Sequence, residues 1–505
     1  SFNSSTHLIS ESKSCASPIL PANKILKGLF FNFGFLVILN CSSAQFGKSI
    51  GEEALYREKD VLLGPGVNIY RTPLNGRNFE YLGEDPYLAS KMVVPYIKNV
   101  QKNNVAACVK HFALNNQEHW RSTINVEVSD RALHEIYLPA FKAAVQDANV
   151  WAIMGAYNKF RGQYTTHHEL LTKTILKGDW NFDGVVISDW SSAHNTMEAA
   201  VNGLDMEMGT GTDGLGTTTS NHYDYYYLAS PFLKAIQNGD IEESVVDDKV
   251  RRILRLMFRT TLKPNRGFGN VNTEAHHDVA RKVAQEGIVL LKNENNFFPI
   301  EDKEGITIAV IGENATRSMT AGGGSSELKP QFEISPLEGI KQRYKKAKII
   351  HAMGYHTGPS VYDNIIPSTL NQDSLRVQAI ETAKKADIVL YVGGLNKSHL
   401  QDCEGDDRQS YELSYNQEEF ISELKAVNPN LGMLLVTGNA VETPWLSKVN
   451  GLIQTWYLGS MAGHAIADVV SGDVNPSGKL PFSFPKKLTD NGAHFYGELS
   501  YPGDG

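Results

Sequence analysis

The sequence has few cysteines and no cluster of basic residues. Its 505 residues include four cysteines, Cys15, Cys41, Cys108 and Cys403, which lie far apart without CxxC spacing. This pattern indicates neither a zinc site nor a disulfide framework. The formal net charge is −8, and the acidic residues are scattered along the chain. Because a nucleic-acid surface needs a clustered basic patch, we expect no nucleic-acid partner.

The chain also lacks an apolar run long enough to cross a bilayer. Its longest candidate, LFFNFGFLVIL, spans residues 29–39 and follows Lys24 and Lys27. A membrane-spanning helix needs about 20 apolar residues, so we expect no membrane span. The composition is typical of a signal-peptide core, but the run starts late in a chain that begins at Ser1. We therefore favour a buried strand or a disturbed N-terminus, with a signal peptide as the alternative.

The first half of the chain alternates short apolar strands with amphipathic helices. With 41% hydrophobic residues, the chain can bury large cores and should hold at least two domains. The repeated βα units over residues 46–262 predict an α/β fold, a (β/α)8 TIM-like barrel with its active site at the carboxyl ends of the strands. Pro139 should kink the helix near residues 131–147. The predicted strand segments are VLLGPGVNI (61–69), VAACVKHFA (105–113), VWAIMGAY (150–157), GVVISDW (184–190) and LDMEMG (204–209).

A second domain follows a break in periodicity. The Pro, Gly and Asn residues of KPNRGFGNVN (263–272) indicate a linker, which we place at residues 263–285. Residues 286–505 then form a second αβ series, which predicts a doubly wound α/β sandwich domain. Its predicted strands are ITIAVIG, AKIIHAMG, ADIVLYVGG, LGMLLVTG and VNGLIQTWY. The GGGSS segment (322–326) lacks the spacing of a nucleotide-binding loop, so we expect no nucleotide cofactor.

Polar residues follow several strands of the first domain. A lone His or Asp at a strand end is usually structural, but in a barrel several such residues converge on one pocket. There, Arg and Lys side chains should lower the pKa of Asp189 and keep it ionised. An ionised carboxylate near hydrogen-bond donors and an aromatic ring is what a glycosidase nucleophile needs. The candidates are Arg77, Lys110, His111, Tyr157, Asp189 and Trp190.

A retaining glycosidase also needs a second carboxyl group that donates a proton. Glu404 lies in QDCEGDDRQSYEL (401–413), a loop that follows a predicted strand of the second domain and so borders the interdomain cleft. The acidic residues that flank Glu404 should raise its pKa, which suits a proton donor. On loop composition alone, a solvated acidic loop or a cation site is the simpler interpretation.

Six segments in order carry a family resemblance. They are GPGVNIYRTPLNGRNFEYLGEDPYL, KHFALNNQE, GVVISDW, EGIVLLKNE, CEGDDR and NPSGKLPFSFP. Together they resemble the β-glucosidase branch of glycoside hydrolase family 3, especially its Bacteroidetes members. The resemblance implies a retaining, exo-acting β-glucosidase that needs no metal or cofactor. Its substrates would be β-glucosides or cello-oligosaccharides with a terminal non-reducing glucosyl residue.

The same resemblance implies a role for each candidate residue. Asp189 matches the family's nucleophile, which forms a covalent glycosyl-enzyme, and Glu404 matches the acid/base. Arg408 would hold the acid/base loop in place. The remaining candidates would bind or border the glucose: Arg77, Lys110 and His111 through its hydroxyl groups, Tyr157 beside the nucleophile, and Trp190 at the sugar site.

Residues 1–45 depart from the family pattern. The family's early DGPxG or DSPxG segment, whose Asp binds glucose, has no counterpart in the sequence. We therefore expect the opening strands of the barrel to be altered or missing, and another group to replace that Asp. The open alternatives are a catalytically impaired carbohydrate-binding relative or fragment, and a β-xylosidase. The likeness to bacterial enzymes favours a periplasmic or secreted location, and a homodimer is compatible with the sequence.

Overall fold

Two α/β units with separate hydrophobic cores make up the described part of the chain. The computed structural model describes residues 30–209, 222–495 and 500–504. The first unit contains α1–α7 and β1–β7, and the second contains α8–α12 and β8–β13. The helices are α1 (Phe30–Tyr56), α2 (Pro86–Gln101), α3 (Asp130–Ala132), α4 (Pro139–Gln146), α5 (Thr196–Val201), α6 (Ser230–Gln237), α7 (Ser244–Arg259), α8 (Glu274–Gly287), α9 (Pro336–Arg343), α10 (Gln372–Lys384), α11 (Gln417–Val427) and α12 (Ala462–Ser471). The strands are β1 (Val61–Leu62), β2 (Ala106–Phe112), β3 (Asn125–Val126), β4 (Ala152–Gly155), β5 (Lys159–Phe160), β6 (Gln163–Tyr164), β7 (Val185–Ile187), β8 (Val289–Asn293), β9 (Thr307–Ile311), β10 (Lys348–Ala352), β11 (Ile388–Gly394), β12 (Leu431–Val436) and β13 (Gly451–Gln454).

The main sheet of the first unit is parallel, as the βα repeats predict. Its strand order is β1-β2-β4-β7, and every neighbouring pair is parallel. A β-bridge between Ile187 and Met206 adds the fifth predicted segment. All five predicted segments therefore form extended structure, and the α/β class is confirmed. The described residues supply four strands of this sheet, so a closed eight-stranded barrel stays a prediction.

Helix α1 overturns the expectation of a buried strand at residues 29–39. Residues 30–39 lie within this helix, so the strand interpretation is wrong. Further along, α1 packs closely on α2, because a Cβ at Gly47 or Gly51 would collide with atoms of that helix. Among the described residues, no helix combines the length and the apolar character that a membrane span requires.

The predicted kink at Pro139 is confirmed. Helix α3 ends at Ala132, a π-helical turn covers Leu133–Tyr137, and α4 begins at Pro139. Proline has no backbone N–H to donate and clashes with the preceding turn, so it is tolerated at the start of a helix rather than inside it.

The second unit is a doubly wound sheet, as predicted. Its strand order is β10-β9-β11-β12-β13-β8, and only β8 is antiparallel to its neighbour. Successive residues of β9 enter different cores: Ile308 and Val310 face one, and Ala309 faces the other. All five strands predicted in this domain are confirmed. The edge strand β8 was not among the predicted strands; its adjacent residues Leu290 and Leu291 are both partly exposed.

The three cysteines in the described part of the chain differ in chemical state. Cys108 and Cys403 are free and buried, and burial raises the pKa of each thiol to about 12. Neither is therefore a thiolate at neutral pH. Cys41 is disulfide-bonded, which the spacing of the cysteines did not indicate.

The connection between the units is partly helical. Helix α8 occupies Glu274–Gly287, so it covers the second half of the expected linker at residues 263–285. The boundaries at residues 46, 263 and 286 stay predictions.

Phe420 gives a direct test of the second unit's core. It is fully buried, and its ring lies edge-on to Tyr391 at 5.5 Å between centroids. Phe420→Ala should lower the free energy of unfolding by about 3 to 5 kcal/mol, because it leaves a cavity. Urea unfolding followed by fluorescence measures this loss. The matched control Phe268→Ala removes a ring that is 90% exposed, and an equal effect of both changes would contradict the assigned core.

Candidate active site

Asp189 lies where a buried strand emerges. Val185–Ile187 form β7 and are all buried, and Asp189 follows two residues later. Its Oδ1 accepts hydrogen bonds from the Tyr157 hydroxyl at 2.9 Å and from the backbone N–H of Trp190 at 2.8 Å. The Nε2 atom of His111 lies 3.5 Å from Oδ2. Two hydrogen bonds therefore hold Oδ1, and the His111 ring lies near Oδ2.

Burial, rather than nearby cations, dominates the pKa of Asp189. Loss of solvation raises this pKa above its usual value, and the charge of Arg77 and the two hydrogen bonds offset only part of the effect. The expectation of a lowered pKa is therefore wrong in sign. The argument that nearby cations favour the ionised form is partly right, since the charge of Arg77 has that effect. Desolvation of a buried carboxylate is the larger effect.

Lys110 and His111 lie at an irregular point of strand β2. The pairing of β2 with β4 shifts register between Val109 and Phe112. The His111 backbone is fixed by two hydrogen bonds with the Asn68 side chain, at 2.7 and 2.9 Å. Burial and neighbouring cations hold the pKa of His111 well below its usual value, so the ring is neutral. The Lys110 ammonium lies 3.9 Å from the carboxylate of Glu80.

Arg77 connects the two units electrostatically. Its guanidinium is buried and donates from Nε to Glu80 at 2.5 Å. Its Nη1 lies 3.4 Å from Oε1 of Glu404, a residue of the second unit. The short 3-10 helix that follows Arg77, Asn78–Glu80, brings Glu80 into reach of both Arg77 and Lys110.

Hydrogen bonds and two guanidinium groups hold Glu404 as a carboxylate. Its Oε1 accepts from Nη1 of Arg121 at 2.9 Å, and its Oε2 accepts from the backbone N–H of Ser325 at 2.9 Å and from the Ser325 hydroxyl. Arg77, Arg121 and these hydrogen bonds together outweigh burial and lower the pKa of Glu404 to about 2. The expectation that flanking acidic residues raise this pKa is therefore wrong.

The flanking acid Asp402 is buried and has hydrogen-bond donors of its own. Asp402 accepts from Gly438 N–H at 2.8 Å and from the Tyr457 hydroxyl at 2.6 Å. Arg408 is also buried and donates to the carbonyl oxygens of Ala440 at 2.8 Å and Pro73 at 3.2 Å. The loop is thus buried and fixed, which excludes a solvated acidic loop. Within the described residues no cluster of three or more His, Cys, Asp or Glu side chains suits a metal ion.

One chain of contacts joins the two carboxylates. Asp189 accepts from Tyr157, the Arg121 guanidinium lies 4.3 Å from the centroid of the Tyr157 ring, and Arg121 donates to Glu404. Asp189, Tyr157 and Glu404 are therefore joined in one network of contacts between the units. Ion pairs and close contacts link this network to Arg77, Lys110 and His111. Trp190 lies beside Asp189 with 44% of its surface exposed.

Three further residues of this contact network were missed by sequence reasoning. Arg121 and Glu118 lie in the QEHWR segment (117–121), beyond the end of strand β2 and therefore outside the pattern of polar strand ends. Ser325 belongs to GGGSS, a segment weighed only as a nucleotide loop. The signal that could have found Arg121 and Glu118 is their proximity in sequence to Lys110 and His111.

The ion pairs of Glu404 predict a specific response to acid. Its pKa falls from a usual 4.5 to about 2. The pairing therefore stabilises the fold fully at pH values well above 4.5, and this contribution is lost as the pH falls through about 2. We expect wild type to be more stable than Glu404→Gln near neutrality, with the difference shrinking below pH 4.5. Urea unfolding across a pH series measures the difference, with exposed Glu412→Gln as control. A difference unchanged at acidic pH would contradict the pairing.

Solved structures and curated relatives share this architecture. Beta-glucosidase BoGH3A of Bacteroides ovatus is 57% identical over 469 residues, which are 92% of this chain and 62% of that protein. The Bifidobacterium adolescentis GH3 beta-glucosidase superposes with a TM-score of 0.79 at 33% identity, over 92% of this chain and 64% of that one. Beta-glucosidase 3B from Thermotoga neapolitana, in complex with glucose, superposes with a TM-score of 0.78 at 33% identity, over 90% of this chain and 65% of that one. The chain thus spans less than two thirds of the length of these relatives.

Family models match both units. The model described as the glycosyl hydrolase family 3 N-terminal domain matches residues 39–256. The model for the C-terminal domain of the same family matches residues 288–504. These matches cover most of the chain and agree with the two cores seen in the fold. The chain belongs to glycosyl hydrolase family 3.

Proposed function

We propose that this chain is an exo-acting retaining β-glucosidase, with Asp189 as nucleophile and Glu404 as acid/base. The observation that carries the proposal is that one chain of contacts joins these two carboxylates, which come from different units and lie among hydrogen-bond donors. Retaining glycosidases need such a pair. The names of the relatives support the β-glucoside class. Because the chain spans only part of their length, its activity and its substrates, β-glucosides and cello-oligosaccharides, are proposals. A homodimer stays a prediction.

Asp189 would attack the anomeric carbon of the terminal glucose. A nucleophile must be ionised, and Tyr157, the Trp190 N–H and Arg77 all favour that form against the cost of burial. The covalent bond neutralises the carboxylate, so the desolvation that destabilises the free anion favours the intermediate. Hydroxyl groups of the same sugar would accept hydrogen bonds from Lys110, His111 and Arg77.

Glu404 would protonate the leaving oxygen and later activate water. Its pKa of about 2 is too low for a proton donor at neutral pH. Arg121 and Arg77 cause this low pKa, so it rises if sugar hydroxyls draw these guanidinium groups away from Glu404. Substrate binding would therefore prepare the acid as well as position the bond.

Nitrophenol release from 4-nitrophenyl β-glucoside tests the proposal. We expect turnover by wild type and a loss of about 10³-fold or more for Asp189→Ala. Glu404→Ala should cost about 10² to 10⁴-fold, the usual contribution of a general acid–base group. The control Asp240→Ala removes an exposed carboxylate and should leave turnover unchanged.

The outcomes also separate the alternatives. No turnover from a folded wild-type chain would favour a catalytically impaired carbohydrate-binding relative or fragment. Faster release from 4-nitrophenyl β-xyloside than from the glucoside would favour a β-xylosidase. Activity that survives Asp189→Ala would show that the nucleophile is assigned wrongly.

A further inference from the structure

Asp407 is a buried carboxylate that the proposed chemistry does not use. It is 3% exposed and lies three residues after Glu404. Its oxygens accept four hydrogen bonds, three from backbone N–H groups of the first unit and one from a tyrosine near the end of the chain. The donors are Gly76 at 2.9 Å, Glu118 at 2.9 Å, His119 at 3.1 Å and the Tyr501 hydroxyl at 2.9 Å.

The Glu118 side chain in turn accepts a hydrogen bond from the loop that carries Asp407. Its Oε2 accepts from the backbone N–H of Gly405 at 3.0 Å and from Nη1 of Arg121 at 2.5 Å. In the loop that carries Glu404, Asp407 thus accepts a hydrogen bond from the backbone N–H of Glu118. Gly405 of the same loop donates its backbone N–H to the Glu118 side chain. These bonds enclose Glu404, which shares Arg121 with Glu118.

Close packing leaves the loop no room to shift. A Cβ at Gly76 would collide with the carbonyl oxygens of Cys403 and Asp406, so the two backbones are in direct contact there. Any displacement of Glu404 must therefore break several buried hydrogen bonds. An unsatisfied buried donor is costly, so these bonds define one position for the loop.

We propose that Asp407 is a positioning residue that fixes Glu404 relative to the nucleophile on the other unit. This inference rests on the proposed function. A general acid must lie within hydrogen-bond reach of the leaving oxygen, and a displacement of about 1 Å can cost about 10²-fold in rate. Asp407 provides that placement because it ties the loop to three separate backbone donors of the unit that carries Asp189.

A leaving-group comparison separates positioning of the acid from general damage. Cellobiose needs a proton on its leaving oxygen, whereas 2,4-dinitrophenolate departs readily without one. We expect Asp407→Asn to lower kcat/KM for cellobiose at least about 10-fold more than for 2,4-dinitrophenyl β-glucoside. Tyr501→Phe removes one donor only and should give a smaller loss with the same preference. The control Glu412→Gln changes an exposed acid of the same loop and should affect neither substrate.

The outcomes of this comparison distinguish the positioning role of Asp407 from its alternatives. Equal losses on both substrates, or no loss, would overturn the positioning role. If Asp407→Asn does not fold, the same comparison on Tyr501→Phe decides instead. A wild-type chain that hydrolyses neither substrate would reject the proposed function itself, and this result is distinct from a failure of the positioning role alone.

Discussion

Mutual neutralisation of buried charges is the constraint on which this structure depends. Arg77, Glu80, Glu118, Arg121 and Glu404 come from both units and share one poorly hydrated region. A buried charge without a partner is strongly destabilising, so these groups must be brought together as a set. The same pairing that makes the interface stable also orients the carboxylate at the centre of the proposed chemistry.

The surroundings of the two key carboxylates favour protonation states opposite to those that their proposed roles require. Burial favours the neutral form of Asp189, whereas two guanidinium groups favour the anion of Glu404. Burial also raises the pKa of Glu118 to about 7, even though Arg121 and Arg77 oppose the shift. In the proposed reaction, a bound sugar would replace water and compete for the arginines, and would so redistribute these charges. The protein alone would then supply only part of the electrostatics of that reaction.

Much of the fold could be predicted from the sequence. Strand segments were recognisable because β-branched and apolar runs alternate with helices, and polar residues at strand ends, such as Asp189, are among those that the structure brings together with Glu404. The failures have a common cause. The pKa of Glu404 was inferred from its sequence neighbours, but Arg77 and Arg121, more than 280 positions away, determine it. Helix α1 was misjudged because an apolar run of that length fits either a strand or a helix.

Each unit also closes its own core, and the chain passes from one to the other once, near residues 263–287. The site exists only where the two meet. The covalent connection therefore acts as a tether that keeps the effective concentration of each half-site high. If the chain were cut at that connection, association of the two units would become a bimolecular reaction. The rate of the proposed hydrolysis would then depend on the affinity of the two units for one another.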